Sequence, residues 1–197
     1  MQIKSAEFIT SAKGLADCPM WDRPEYAFIG RSNVGKSSMI NMLSNRHALA
    51  KVSATPGKTR LLNFFLMNRT WSLVDLPGYG FAKTAKSEKM QFNELVGDYL
   101  ERRQNLQRVF VLIDSRHPPQ RIDLDFTAWL GGTGAPFALV FTKADKQSAA
   151  KTKANIALFQ ESLAAHLDAA PEVIVSSAKT RAGRHEILGM IGRSLGA

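Results

Sequence analysis

One short stretch of the sequence, residues 26–38, constrains the fold more than any other. It reads YAFIGRSNVGKSS, an apolar run followed by the spacing G-x-x-x-x-G-K-S. An apolar-periodic segment, residues 39–43, follows directly. A strand, a glycine-containing loop and a helix in this order form the context that a phosphate-binding loop requires. The alternative is a plain turn between a core strand and a core helix.

The residue types in this stretch suit a phosphate site. Gly30 and Gly35 let the backbone turn its N–H groups inward, at angles that a side chain would oppose. Lys36 would reach the β- and γ-phosphates of a nucleotide, and the Ser37 hydroxyl would ligate Mg²⁺. The predicted loop comprises Gly30, Arg31, Ser32, Asn33, Val34, Gly35, Lys36, Ser37 and Ser38. We expect its N–H groups and the helix N-terminus to hold the phosphate charge.

Strand patterns alternate with helical patterns over most of the chain, which predicts an α/β fold. The predicted strands are residues 26–29, 61–67, 70–75, 109–114, 137–141 and 173–175. The predicted helices are residues 36–45, 87–107, 123–130, 148–167 and 184–194. We therefore expect a mostly parallel six-stranded sheet with one antiparallel strand and helices on both faces. Residues 1–25 are expected to form a short N-terminal extension packed on the core, in which residues 3–9 alternate like an edge strand, and residues 26–197 the main domain.

Composition narrows the function classes. The 197 residues are 45% hydrophobic, enough for one domain with a sizeable core, and the single cysteine, Cys18, excludes an internal disulfide. No apolar run approaches the roughly 18 residues of a membrane helix, and the N-terminus lacks a signal-peptide core, so we expect a cytoplasmic protein. The net charge of +9 favours a polyanionic partner, above all nucleic acid, although a generally basic protein would look alike.

Three further loops follow predicted strands. Asp75 and Gly78 form D-x-x-G, in which the carboxylate can hold Mg²⁺ through water and the Gly78 N–H can contact a γ-phosphate. Asp145 closes the sequence TKAD, and its two oxygens match two neighbouring donors of guanine that adenine lacks. The predicted base-reading residues are Thr142, Lys143, Asp145, Ser176, Ser177, Ala178 and Lys179. Because the carboxyl ends of parallel strands meet at one edge of a sheet, these loops together predict a guanine-nucleotide site.

With these motifs, the sequence resembles the translation-factor-related small GTPases, and more closely the EngB (YihA/YsxC) branch of bacterial ribosome-assembly GTPases. The match covers about residues 5–195 and lies in GRSNVGKSS at 30–38, TPGKT at 55–59, LNFF at 62–65, DLPGYG at 75–80 and TKADK at 142–146. The resemblance implies a P-loop small G domain, GTP binding and hydrolysis with Mg²⁺, and a role in large ribosomal subunit assembly with consequences for cell division. It also implies that Thr59, after Gly57 and Lys58, completes Mg²⁺ coordination; the sequence alone would not choose it over Thr55.

Two positions depart from the general pattern of small GTPases. Thr142 stands where an Asn is usual, which predicts a looser tie to the phosphate loop and micromolar nucleotide affinity. Tyr79 stands where Ras-type GTPases carry the Gln that orients the attacking water, so hydrolysis must rest on Mg²⁺, Lys36 and backbone donors such as Gly78. Asn33 matches the phosphate-loop Asn of cation-dependent relatives, and either coordinates K⁺ or only braces the loop. Activation by the ribosome is the other hypothesis.

Basic side chains are expected to meet ribosomal RNA. The cations near the γ-phosphate loops are Lys51, Lys58, Arg60, Lys83, Lys86 and Lys89, and further cations are Arg102, Arg103, Arg108, Arg116, Arg181, Arg184 and Arg193. Such contact would depend strongly on salt. We expect a monomer that binds the large ribosomal subunit. The alternatives are a GTP-gated binding module with negligible hydrolysis and a P-loop kinase or ATPase, against which Asp145 argues.

Overall fold

The computed structural model describes residues 1–46, 48–50, 61–80 and 86–196, with residues 86–93 described by their backbone alone. The predictions for Gly57, Lys58 and Thr59 therefore lie outside the described residues, as do those for Thr55, Lys51, Arg60 and Lys83 and for the side chains of Lys86 and Lys89. Within the described residues, no helix is both long enough and apolar enough to cross a bilayer.

Strands and helices alternate along the chain as the sequence predicts. The strands are β1 Ala6–Ala12, β2 Glu25–Gly30, β3 Leu62–Met67, β4 Trp71–Asp75, β5 Leu106–Asp114, β6 Phe137–Thr142 and β7 Glu172–Val175. The helices are α1 Lys36–Ser44, α2 Lys86–Arg102, α3 Arg121–Gly132, α4 Ala149–Leu163 and α5 Arg184–Ser194. Helix α2 ends five residues before the predicted Gln107, because Leu106 already pairs with Glu25 of β2.

The described strands form one sheet in the order β1-β3-β4-β2-β5-β6-β7. Strand β3 is antiparallel to both neighbours, β1 and β4, and the other described pairs are parallel. The prediction of a mostly parallel sheet with one antiparallel strand is therefore confirmed. The predicted count of six strands is wrong, because β1 adds a seventh at the edge, where Phe8 pairs with Phe65.

Helices cover both faces of this sheet, as predicted. Helices α1 and α5 contribute Ile40, Leu43 and Ile187 to the buried cluster on one face. Helices α2, α3 and α4 contribute residues such as Val96 and Leu130 to the cluster on the other face. Strand β2, at the centre of the sheet, is buried over its whole length. The carboxyl ends of β2, β4, β5, β6 and β7 consequently lie at one edge, where the loops singled out in the sequence begin.

The opposite end of β2 is held by a buried carboxylate. Glu25 is fully buried and accepts hydrogen bonds from Trp21 Nε1 at 2.8 Å and from the Tyr99 hydroxyl at 2.8 Å. Arg103 Nη2 and Nε donate to its two oxygens at 2.6 and 3.0 Å, and Nη2 also donates to the carbonyl of Pro19 at 2.8 Å. This cluster joins the N-terminal segment, α2 and the central strand at the edge away from the candidate site.

Candidate functional site

The predicted phosphate loop connects β2 to α1. Gly35 lies immediately before Lys36 and has φ 105°, in the left-handed region that favours glycine. A Cβ on Gly30 would lie 2.7 Å from the carbonyl oxygen of Leu112 in β5, so the chain passes too close to its neighbour for a side chain. Both glycines are thus required where the sequence pattern places them. The first turn of an α-helix has N–H groups without partners inside the helix, and the first turn of α1 begins where this loop ends.

The D-x-x-G segment lies directly on the phosphate loop. Asp75 ends β4 and is 5% exposed, and its carboxylate pairs with the Lys36 ammonium. A Cβ on Gly78 would lie 2.7 Å from the carbonyl oxygen of Gly30 and 3.4 Å from the amide nitrogen of Ser32. The fold therefore brings two of the predicted motifs into contact, with a lysine and a carboxylate between them.

The oxygen donors of these two loops fit a magnesium ion. Mg²⁺ usually keeps several waters and takes only one or two protein ligands, together with phosphate oxygens. Ser37, in the first turn of α1, and Asp75, at the end of β4, offer a hydroxyl and a carboxylate of that kind. Over the described residues there is no group of three or more His, Cys, Asp or Glu side chains suited to a protein-only metal site. The assignment of Ser37 and Asp75 to Mg²⁺ stays a prediction.

The predicted guanine loop is tied to the phosphate loop by two side chains. The Thr142 hydroxyl donates to the carbonyl oxygen of Val34 at 2.7 Å, with the carbonyl of Ile113 at 3.2 Å. Lys143 Nζ donates to the carbonyl oxygen of Asn33 at 2.6 Å. Although Thr lacks the amide that is usual at this position, its hydroxyl makes the link to the neighbouring loop. The expected effect on nucleotide affinity stays a prediction.

Asp145 is oriented by the SSAK segment. Its Oδ1 accepts a hydrogen bond from the Ser177 hydroxyl at 2.7 Å, and Ser177 Oγ accepts in turn from the N–H of Thr180 at 3.1 Å. The Ser177 hydrogen bond lowers the pKa of Asp145, which keeps the carboxylate ionised. The N–H of Ala144 also donates to the carbonyl of Ser176 at 3.1 Å. The two predicted base-reading segments are therefore joined, while Lys179 is exposed beside them.

Asp114, at the end of β5, belongs to this edge and was not assigned a role from the sequence. It accepts hydrogen bonds from Arg116 Nε at 2.9 Å and Nη2 at 2.8 Å, and from Lys143 Nζ at 2.8 Å. Burial acts to raise the pKa of Asp114, but the bonds from Arg116 and Lys143 outweigh it and hold the pKa well below its ordinary value. Asp114 thereby fixes the lysine that braces the carbonyl of Asn33. Its position at a strand end of the same edge was the only signal in the sequence.

This carboxylate predicts a pH dependence of stability. Because the folded-state pKa of Asp114 is depressed, its stabilisation is fully present above the ordinary value of about 3.9 and is lost progressively as the pH falls from there through the lower folded-state pKa. We expect Asp114→Asn to lower the free energy of unfolding by about 2 kcal/mol at pH 7 and by less at pH 3. Urea unfolding at both pH values measures this difference. Asp98→Asn, in an exposed pair with Arg102, is the control, and a penalty for Asp114→Asn that did not change with pH would contradict the account.

The Tyr79 side chain is buried in the interior of the fold. It is 4% exposed, and its ring stacks on Phe126 of α3 with centroids 4.1 Å apart and an interplanar angle of 14°. Its hydroxyl donates to Asp123 Oδ1 at 2.9 Å. The side chain that replaces the Ras-type Gln therefore has its hydroxyl engaged inside the fold.

Several arginines expected at an RNA surface are instead bound to the protein itself. Arg103 is held by Glu25 and Arg116 by Asp114. Arg184 donates to the carbonyl oxygens of Met42 and Leu43 at 3.0 Å each, at the end of α1. Because these arginines are paired with buried carboxylates and helix carbonyls, they contribute less positive charge to the expected RNA-binding surface than the sequence predicts.

Comparisons with known proteins agree with this geometry. Residues 25–143 match the profile of a family described as "50S ribosome-binding GTPase". The "probable GTP-binding protein EngB" of Bacteroides thetaiotaomicron is 51% identical over 97% of this chain and 95% of its own length. The protein of the same name from Pelotomaculum thermopropionicum is 49% identical over 100% of this chain and 98% of its own length.

Solved structures share the fold. The crystal structure of a probable GTP-binding protein engB superposes with a TM-score of 0.68 at 22% identity, covering 86% of this chain and 97% of that chain. The structure of Era in complex with MgGDPNP and a segment of 16S ribosomal RNA has a TM-score of 0.64 at 22% identity, covering 85% of this chain and 55% of that chain. At this identity the likeness bears on the fold alone. The sequence comparisons also show the family: the chain belongs to the EngB family of GTP-binding proteins, within the P-loop GTPases.

Proposed function

We propose that this protein binds GTP and GDP and hydrolyses GTP with the help of Mg²⁺. The observation that carries the proposal is Asp145, a carboxylate oriented by Ser177 on a loop whose first residue is hydrogen-bonded to the phosphate loop. Each carboxylate oxygen has a second lone pair, so Asp145 can accept from guanine while Ser177 holds it. This arrangement favours guanine over adenine and therefore a GTPase over a P-loop kinase or ATPase.

The two loops next to the guanine-binding segments would bind the phosphates of the nucleotide. The N–H groups of residues 30–38 and the Lys36 ammonium would hold the β- and γ-phosphates, and the Gly78 N–H would contact the γ-phosphate. Ser37 and Asp75 would hold Mg²⁺, which would neutralise the developing phosphate charge. Lys36 and Asp75 are paired, so the ammonium and the carboxylate lie side by side where they would serve the phosphates and the metal.

Because the Tyr79 side chain points into the interior, the described residues of the D-x-x-G loop offer no side chain that could orient the attacking water. Hydrolysis would therefore need a positive charge or a water-orienting group from elsewhere. One source is K⁺ bound with help from Asn33, whose side chain is exposed and whose carbonyl oxygen is held by Lys143. The other role open to Asn33 is only to brace the phosphate loop, and its carbonyl oxygen accepts the hydrogen bond from Lys143 there. We expect faster single-turnover hydrolysis in KCl than in NaCl at equal ionic strength. Equal rates in both salts, with and without ribosomal subunits, would remove the K⁺ hypothesis.

We further propose that GTP gates binding to the large ribosomal subunit during its assembly in the cytoplasm, with consequences for cell division. The description of the matched family and the net charge of +9 support this partner. We propose a monomer in which residues 26–197 are the G domain and residues 1–25 its N-terminal extension.

The buried Tyr79 also favours a second candidate function, a GTP-gated binding module with negligible intrinsic hydrolysis.

Two experiments test these proposals. Co-sedimentation with purified large subunits should be stronger with a non-hydrolysable GTP analogue than with GDP, and should weaken steeply with salt. Equal binding with both nucleotides would contradict gating. Single-turnover hydrolysis with and without the subunits separates the candidates: a turnover that the subunits accelerate supports the GTPase, and one that stays negligible in both supports the binding module.

A further inference from the structure

We infer that Arg31, Asp123 and Tyr79 form a latch that holds the D-x-x-G loop against the phosphate loop, which makes Asp123 a positioning residue for the γ-phosphate contact of Gly78. The inference rests on the proposed function, because it concerns how the same site distinguishes GTP from GDP.

A single carboxylate oxygen joins three segments of the chain. Asp123 Oδ1 accepts a hydrogen bond from the Tyr79 hydroxyl at 2.9 Å and lies 3.1 Å from Arg31 Nε. Tyr79 follows Gly78, Arg31 is the second residue of the phosphate loop, and Asp123 lies in the first turn of α3. The latch therefore ties both phosphate-facing loops to the same helix.

Burial makes these contacts strong. Asp123 is 1% exposed, and over the described residues its second oxygen has no hydrogen-bond partner. Burial raises the pKa of Asp123, and the Arg31 charge opposes that rise. Burial likewise raises the pKa of the Tyr79 phenol well above its ordinary value, so the hydroxyl stays protonated and donates. A carboxylate with few partners depends on each of them, because an unpaired buried acceptor is costly.

The backbone beside Tyr79 has little room to move while the latch is closed. A Cβ on Gly80 would lie 2.8 Å from Ile122 Cδ1 and 3.5 Å from Arg31 Cδ, so the loop lies against both the helix and the arginine stem. On its other side, Gly78 is packed on the carbonyl of Gly30. The backbone of Gly78 is therefore packed on the phosphate loop, and the residue that follows it is anchored by the latch.

The placement of the Gly78 N–H should help the protein to distinguish GTP from GDP. The Gly78 N–H is expected to meet the γ-phosphate, which GTP has and GDP lacks. A donor held in place beforehand loses less freedom on binding, so the latch should strengthen GTP binding selectively. Breaking the latch should lower the affinity for GTP and leave the affinity for GDP nearly unchanged.

Tyr79→Phe tests the latch, because it keeps the ring on Phe126 and removes only the hydroxyl. We expect the affinity for a non-hydrolysable GTP analogue to fall about 5- to 10-fold while the affinity for GDP stays within about two-fold, because only part of the contribution of this hydrogen bond goes into positioning the Gly78 N–H. Asp123→Asn should act in the same direction. The fold-loss in affinity for the GTP analogue should be smaller in the double variant than the product of the two single fold-losses, since both substitutions break the same contact.

Tyr99→Phe is a matched control. Its hydroxyl also donates to a buried carboxylate, Glu25 Oε2, at 2.8 Å, but at the other edge of the sheet. We expect it to lower stability without changing the ratio of the two affinities. The latch is overturned if Tyr79→Phe changes both affinities equally, changes neither, strengthens the GTP analogue, or moves the ratio no more than Tyr99→Phe does. If the unsubstituted protein binds neither nucleotide, the proposed function fails as well; if it binds both and only the ratio is insensitive, the latch fails alone.

Discussion

Asp145→Asn should lower the affinity for GTP and GDP about 100-fold and raise the affinity for the corresponding xanthosine nucleotides. The carboxylate offers acceptors to both the ring N–H and the exocyclic amine of guanine, whereas an Asn amide keeps one acceptor oxygen and replaces the other by an NH₂ donor group. Loss of hydrogen bonds to a charged acceptor costs about 1.5–3 kcal/mol, and about 2.7 kcal/mol corresponds to 100-fold. The 2-position oxygen of xanthine accepts from the new amide, which reverses the preference.

Isothermal titration of the folded variant with guanosine and xanthosine diphosphates measures this exchange. Ser177→Ala is the matched control, since it removes the 2.7 Å hydrogen bond that orients Asp145 and leaves the carboxylate in place. We expect Ser177→Ala to weaken guanine binding by about 10-fold or less, the value of one hydrogen bond, with no gain for xanthine. A variant Asp145→Asn that kept its preference for GDP would show that Asp145 does not read the base.

The sequence predicted the parts of the site that depend on local spacing. The glycines of the phosphate loop, the D-x-x-G turn and the strand-end position of Asp145 each follow from a few neighbouring residues and from the rule that parallel strands end at one edge. The structure accordingly places Gly78 on Gly30 and joins Thr142 to Val34. Alternating strand and helix patterns likewise predicted the parallel sheet and the side on which its loops meet.

The parts that the sequence did not reveal depend on contacts between distant residues. From the sequence, β1 was only a candidate edge strand, because its pairing with β3 joins residues 50 or more positions apart. Asp123 lies in a helix that reads as amphipathic, and its contact with Tyr79 spans 44 positions. Asp114 ends a predicted strand, and although Arg116 is a near neighbour in the sequence, Lys143 lies 29 positions away. A buried acid gives little local pattern, because at least one of its partners comes from another element.

Glu25 is the strongest example of such an acid, and its removal should cost more stability than any other change considered. Its carboxylate is fully buried and accepts from Trp21, Tyr99 and Arg103. Glu25→Ala leaves the Arg103 guanidinium, whose side chain is 14% exposed, without its counter-charge. Breaking a buried ion pair by removing one partner typically costs about 3–5 kcal/mol, so we expect a loss of that size in the free energy of unfolding.

Urea unfolding of Glu25→Ala against the unsubstituted protein measures the loss. Glu172→Ala removes an ion pair with Arg108 whose carboxylate is 54% exposed, and it should cost about 1 kcal/mol or less. Replacing both Glu25 and Arg103 by apolar residues of similar volume should recover part of the loss, because no buried charge is then left unpaired while the Trp21 and Tyr99 donors still lack their acceptor. A small penalty for Glu25→Ala, or a double variant no more stable than the single one, would contradict this role. Because the cluster lies at the amino end of β2, the folded fraction of Glu25→Ala should keep its affinity for GDP, which separates the stability of the sheet from the chemistry at its other edge.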